Sequence, residues 1–257
     1  MTTLGIYLYN REQIARIEEA CLITACVLDE IEKIIDVGVS TYEIDVLARD
    51  AIKRYKAAPA FLGYRGYPAA VCTSINEVVV HGIPSKDETL KNGDIIGLDM
   101  GVLYRGYYGD SARTYVAGTG GDAADRLINA TREALYQGIE KACTGNRISD
   151  VSHAVEEYVT QFGFTPVREF VGHGIGRNLH EEPSIPNFGS PGKGPRIRDG
   201  MVFAIEPMIN IGTCDVNVLD DQWTVVTKDA SLSAHFEHTV AIVDGKAKIL
   251  TRGKNFN

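Results

Sequence analysis

The chain has 257 residues, 44 % hydrophobic and 23 % charged, the make-up of a soluble globular protein with a large core, which excludes a disordered or fibrous chain. With 34 acidic against 26 basic residues it carries a net charge of −8, so phosphate-backbone attraction is not its main source of affinity and sequence-specific nucleic-acid binding is not expected. No apolar run is long enough to span a bilayer and nothing basic precedes Arg11 in the manner of a signal peptide, so a cytoplasmic chain with no membrane contact is the expectation.

Asn10 with Gln13 makes a capping box ahead of Ile14, Ile17, Cys21, Leu28, Ile31 and Ile35, whose spacing predicts one long amphipathic helix closed by Gly38. Ser40 with Glu43 makes a second box, which Val39 and Ile44 can staple, and Pro59 bars the helix that follows. Beyond a turn-rich aromatic stretch at 61–68, strands are predicted over 69–74, 77–81, 94–103 and 107–116. The order then begins again, with a helix from Asp122 to near Gly145, another from Ser149 to Gly163, and strands from Val167 onward. Gly38 and Gly145 stand at the same offset as Gly93 and Gly200, and that offset also carries Asp99 onto Glu206. One domain, 1–257, is expected, with an internal pseudo-repeat of roughly 11–117 and 122–243. Its class is α+β, helices covering a mainly antiparallel sheet. The five cysteines contain no C-x-x-C pair and read mostly as small core residues.

If Tyr104-Arg105 forms the turn of a hairpin, Asp99 faces Asp110 directly, at about 4.5 to 5.5 Å between Cβ atoms, where like charges repel. A shared proton or bridged cations would each relieve that repulsion, and two acids on a wet sheet face is the plain reading. Glu206 in Val-Phe-Ala-Ile-Glu-Pro-Met and Glu237 in Ala-His-Phe-Glu-His-Thr read as buried acids, which weighs against the plain reading. His173 lies between glycines in Gly-His-Gly-Ile-Gly. Four carboxylates and one imidazole make an oxygen-rich set able to bind two divalent cations of the manganese, iron or cobalt kind rather than a closed structural zinc. His180-Glu-Glu-Pro lacks the second histidine of H-E-x-x-H, and 189–194 departs from a phosphate loop, so neither motif is assigned.

Together with Gly63-Tyr-Arg-Gly-Tyr-Pro68, Cys72-Thr-Ser-Ile-Asn-Glu-Val-Val-Val-His81-Gly-Ile-Pro84, Gly172-His-Gly-Ile-Gly176, His180-Glu-Glu-Pro-Ser-Ile-Pro186, Glu206-Pro207 and Phe236-Glu-His-Thr239, these acids resemble the type I methionine aminopeptidases from about Arg11 to the C-terminus. The resemblance implies the pita-bread fold of two pseudo-symmetric halves. It implies two divalent metal ions, Co, Mn, Fe or Zn, on Asp99, Asp110, His173, Glu206 and Glu237, with Asp110 and Glu237 bridging. The implied reaction removes the N-terminal methionine of nascent proteins whose second residue is small and uncharged, through attack of metal-activated water on the first peptide bond. His81 and His180 map onto substrate-contacting histidines, and Glu206 is the candidate proton shuttle. Phe61, Tyr64, Tyr67, Cys72, Leu179 and Trp223 map onto a pocket for the methionine side chain. An X-Pro aminopeptidase or dipeptidase and a non-catalytic binding relative are the alternatives on the same fold. A monomer without an N-terminal extension is expected, and the basic loop 191–198 reads either as a solvated loop or as a transient ribosome contact.

Overall fold

Asn10 Oδ1 accepts from the Gln13 amide at 2.9 Å and Gln13 Oε1 from the Asn10 amide at 3.0 Å, closing the box that starts helix α1, Arg11–Ile31. The computed structural model describes residues 5–253, so the two ends of the expected 1–257 domain lie outside the described residues. The α-helix is shorter than predicted. It closes at Ile31, and a 3-10 turn at Glu32–Ile34 carries the chain toward Gly38. Helix α2, Thr41–Arg54, starts at the Ser40–Glu43 box.

The first strands are β1 (Ala58–Pro59), β2 (Cys72–Ile75), β3 (Val78–Val80), β4 (Ile95–Tyr104) and β5 (Tyr107–Val116). Helices α3 (Asp122–Lys141) and α4 (Ile148–Thr160) follow, then β6 (Thr165–Pro166), β7 (Gly172–Gly174), β8 (Glu181–Ile185), β9 (Val202–Ile205) and β10 (Met208–Asn210). The chain continues through β11 (Val216–Val218), β12 (Val225–Thr227), β13 (Ser233–His235), β14 (His238–Val243) and β15 (Lys246–Ile249). Every pairing between these strands is antiparallel: β4 pairs with β5, β2 and β1 in one sheet, and a five-stranded sheet runs β15-β14-β9-β7-β8. The remaining strands form two three-stranded sheets, β13-β10-β6 and β11-β12-β3. Among the described residues no helix is long and apolar enough to cross a membrane.

The hairpin β4–β5 corrects the expected register. Its turn is Arg105-Gly106, not Tyr104-Arg105, so Asp99 pairs with Ala112 and Asp110 with Gly101. Both turn residues have positive φ, 49° and 82°, the conformation of a two-residue turn matched to strand twist, and glycine adopts it without a Cβ clash. The slip is two residues, so the side-chain period is preserved and both aspartates remain on one face, as diagonal rather than direct neighbours.

Alternation divides the faces. Ile96, Leu98, Met100 and Val102 point to a core made with Val27, Leu28, Ile31, Ile44 and Ile52 of the first two helices. Helices α3 and α4 cover Phe203, Ile205, Val240 and Ile242 in the same manner. On β5, Gly109 meets α1 and Arg113 donates to Asp29 Oδ1 of that helix at 2.6 Å, both groups being buried. A Cβ on Gly109 would lie 2.6 Å from Cys21 Cα, so the helix lies on the strand at a distance only glycine allows. Gly109→Ala is therefore expected to destabilise the chelated protein by about 3 kcal/mol, a fall in Tm of about 6 to 12 °C. Calorimetric unfolding checks this, and an unchanged Tm would mean that α1 moves off β5 without cost.

Candidate active site

Backbone alternation turns Asp99 of β4 and Asp110 of β5 away from the helices, into a cavity of about 330 Å³. His173 of β7, Glu206 after β9 and Glu237 before β14 line the same cavity. His173 is fixed between two glycines because the backbones of Ala204 and Glu182 occupy the space where Cβ atoms of Gly172 and Gly174 would stand. Asp110, His173 and Glu237 each offer a ligand atom, and the three atoms lie within 4.8 Å of one another. Glu206 Oε1 is 3.5 Å and Asp110 Oδ2 is 3.9 Å from His173 Nε2.

The acids are held against their chemistry. Burial pushes Asp99, Glu206 and Glu237 well above the usual carboxylate range, and the charge of Asp110 raises each of them further. Asp110 rises to about 7, mainly through burial, against a backbone hydrogen bond from Ser111 that lowers it. Among the described residues Asp99 Oδ1, Asp110 Oδ1 and Glu237 Oε1 have no hydrogen-bond partner, although little or no water reaches them. Orphaned anionic oxygens facing one another are costly unless a cation neutralises them, and a hard divalent ion takes this type of donor. His173 completes the fit: its Nδ1–H donates to the Gly174 carbonyl at 2.9 Å, which leaves the Nε2 lone pair directed toward the acids.

The remaining expected residues line the cavity wall. Tyr64 stacks on His180 with ring centroids 5.3 Å apart, and its hydroxyl lies 3.0 Å from His180 Nδ1. His180 in turn lies 4.2 Å, centroid to centroid, from His173. Tyr67 and Trp223 meet edge to face at 5.1 Å, and Trp223 reaches His81 at 6.1 Å. Phe61, Cys72 and Leu179 complete the apolar side. His81 has a positive φ of 61°, an unusual backbone that turns the chain at the end of β3. The Trp223 turn is held by Asp221, which accepts from the amides of Trp223 and Thr224 at 2.8 Å each.

Several lining residues were not singled out in the sequence: Arg65 and Glu169, both exposed, with Val80, Phe170 and Met208 on the wall. Phe170 meets His81 edge to face at 5.5 Å. Met208 had a detectable signal, since strand alternation puts it on the same side as Glu206, while Phe170 lies on an irregular segment with none. Two further groups support the site from behind. Glu181, next to His180, accepts from the Tyr9 hydroxyl at 2.8 Å and from the Asn178 amide at 2.9 Å, which holds the turn that presents Leu179 and His180. Asn187 Nδ2 donates to the Glu206 carbonyl at 3.1 Å.

Residues 15–244 match the model of metallopeptidase family M24. The chain is 50 % identical over 246 residues to the methionine aminopeptidase of Clostridium acetobutylicum, covering 96 % of this chain and 98 % of that one. The solved structure of methionine aminopeptidase from Rickettsia prowazekii superposes with a TM-score of 0.95 at 40 % identity, over 96 % of this chain and all (100 %) of that one. The prolidase from Pyrococcus furiosus is similar at a TM-score of 0.76 and 26 % identity, over 98 % of this chain but 67 % of its own length.

The cluster sets opposing pH dependences. Burial lowers His81 and His173 to about 4 and His180 to about 3, so as pH falls below about 6.5 the unfolded chain takes up protons that the folded chain refuses, and stability drops. The acids act the other way: from the ordinary value of 3.8 up to about 7, folded Asp110 keeps a proton that the unfolded chain has released, so stability is lost as pH rises. The histidine contribution is nearly spent by about pH 7.5, so between about pH 7.5 and 8.5 the acid contribution dominates and the chelated protein should lose Tm across that interval. Asp110→Asn or a saturating divalent cation should flatten the slope; a Tm that rises over the interval in the chelated protein would refute the account.

Proposed function

The chain belongs to the type I methionine aminopeptidases of metallopeptidase family M24, and from that membership we propose how its cavity carries out the reaction. It is a metal-dependent aminopeptidase of pita-bread fold that removes N-terminal methionine. The observation that carries the residue assignment is convergence: acids and histidines from segments far apart in sequence line one cavity whose opposite wall is aromatic and apolar.

In the proposed arrangement two divalent cations would be held by Asp99, Asp110, His173, Glu206 and Glu237. Asp110 and Glu237 would serve both ions, Asp99 would serve one, and His173 with Glu206 would serve the other. Cobalt, manganese, iron and zinc all suit this donor set. Bound there, the cations supply Lewis acidity, acidifying water and polarising the scissile carbonyl. The chain's own groups do the rest. Phe61, Tyr64, Tyr67, Cys72, Leu179 and Trp223 seat the methionine side chain, whose polarisable sulfur packs well on aromatic edges.

Desolvation in the cavity, with the neighbouring His173 and Arg65, favours the neutral form of His180, and with Nδ1 turned to the Tyr64 hydroxyl its Nε2–H would donate to the oxygen on which negative charge develops. His81, also neutral, lies beside the leaving nitrogen. Glu206 takes a proton from the attacking water and returns it to the departing amine, a task suited to a carboxyl that burial and the charges of Asp99 and Asp110 bias toward protonation. From the family resemblance we extend the proposal to substrates with a small, uncharged second residue and to a cytoplasmic monomer acting on nascent chains.

Chelated protein given manganese or cobalt is expected to release methionine from Met-Ala peptides and to leave Ala-Pro and Gly-Pro peptides intact. Failure to release methionine with any divalent metal would sink the activity. His180→Ala should lower kcat by about 100-fold or more while the bound-metal stoichiometry stays that of the parent. Loss of metal in that variant would show that His180 belongs to the ligand set.

A further inference from the structure

Glu206 lies between two imidazoles, and only one of them has been given a role. His173 Nε2 faces Oε1 at 3.5 Å; on the other side His235 Nε2 faces Oε2 at 3.7 Å. His235 is 3 % exposed, and among the described residues its Nε2 has no hydrogen-bond partner. A buried imidazole nitrogen without a partner is unfavourable, and a carboxylate oxygen half an ångström or so beyond bonding distance is the acceptor that would satisfy it.

The backbone of His235 is braced at two points. Its amide donates to Thr114 Oγ1 at 3.0 Å, and the Thr114 hydroxyl donates to its carbonyl at 2.8 Å. Thr114 belongs to β5, the strand that bears Asp110, and His235 pairs with Met208 of β10, just past Glu206. The ring is therefore aimed at Glu206 by the strands that present the acids on either side of it.

We infer that His235 is a positioning residue for Glu206: its Nε2–H holds Oε2, so that Oε1, on the His173 side, is the oxygen offered to the metal. This rests on the reading of Glu206 as a ligand. An acid able to rotate about its last torsion would present either oxygen or both, and fixing one oxygen defines the coordination and the path of the proton. Donors placed behind a ligand typically contribute 10- to 100-fold in metal affinity (about that range for partners of ligating groups).

Calorimetric titration of the chelated protein with manganese alone, in the parent, in four single variants and in one double variant, tests the inference. His235→Leu should weaken manganese binding by about 10- to 100-fold. His235→Gln, whose amide N–H can replace the imidazole donor, should restore it to within about threefold of the parent, in parallel with kcat on Met-Ala peptides. His235→Met, of different shape and equally without a donor, should behave as His235→Leu and serves if the leucine variant fails to fold. Glu206→Ala should lose one cation, and adding His235→Leu to it should change manganese binding no further. Parent-like binding in the folded leucine or methionine variant, beside a loss in Glu206→Ala, would overturn the positioning role alone. Equal losses in His235→Gln and His235→Leu would also overturn it, since a steric or ligating histidine is not replaced by an amide donor. Parent-like binding in Glu206→Ala would instead overturn the ligand assignment beneath it.

Discussion

Mutual repulsion among four carboxylates in one water-poor cavity is the constraint to which the rest of the structure answers. Asp99, Asp110, Glu206 and Glu237 are each raised in pKa by burial, and each oxygen pair adds to the discomfort of the others. Such a set cannot hold a fold together, so cohesion is supplied elsewhere. The helices pack on the outer faces of the sheets, with the aliphatic side chains of β4 on one side and those of β9 and β14 on the other. Core and site share strands and use opposite faces of them. The cost of clustering the acids is thereby confined to residues whose neighbours in sequence are firmly buried.

Much of the scaffold was legible because its signals are local. Asn10 with Gln13 and Ser40 with Glu43 mark helix starts by a pairing that needs no tertiary contact. The strand expected over 107–116 has those bounds, since alternation and its flanking turns leave no other frame. The hairpin register was harder: Tyr104-Arg105 and Arg105-Gly106 are both short turns by composition, and the demand for two positive φ values selects the second. The error spared the site, because a two-residue slip keeps every side chain on its face.

The site was legible unevenly, for a related reason. A carboxylate inside an apolar strand, as at Glu206, is conspicuous in sequence because it is expensive. His81 and His180 stand in unremarkable surroundings and emerged only from the family resemblance of their segments. Tyr9, Phe170 and Asn187 gave no signal, since their roles arise from contacts across more than a hundred residues or from irregular backbone. His235 falls between these cases: strand alternation puts it on the side of Glu237, and only the distance to Glu206 gives it meaning.

The contact between Tyr64 and His180 has a consequence for how such a protein can change. Tyr64 is at once a wall of the apolar cavity and the hydroxyl partner of the His180 imidazole. Selection for a different side chain in the pocket cannot reshape that wall without also loosening the imidazole, so choice of residue and speed of reaction are inherited together. Divergence toward other substrates has an easier route through Phe61 or Leu179, which bound the same space and carry no such second duty.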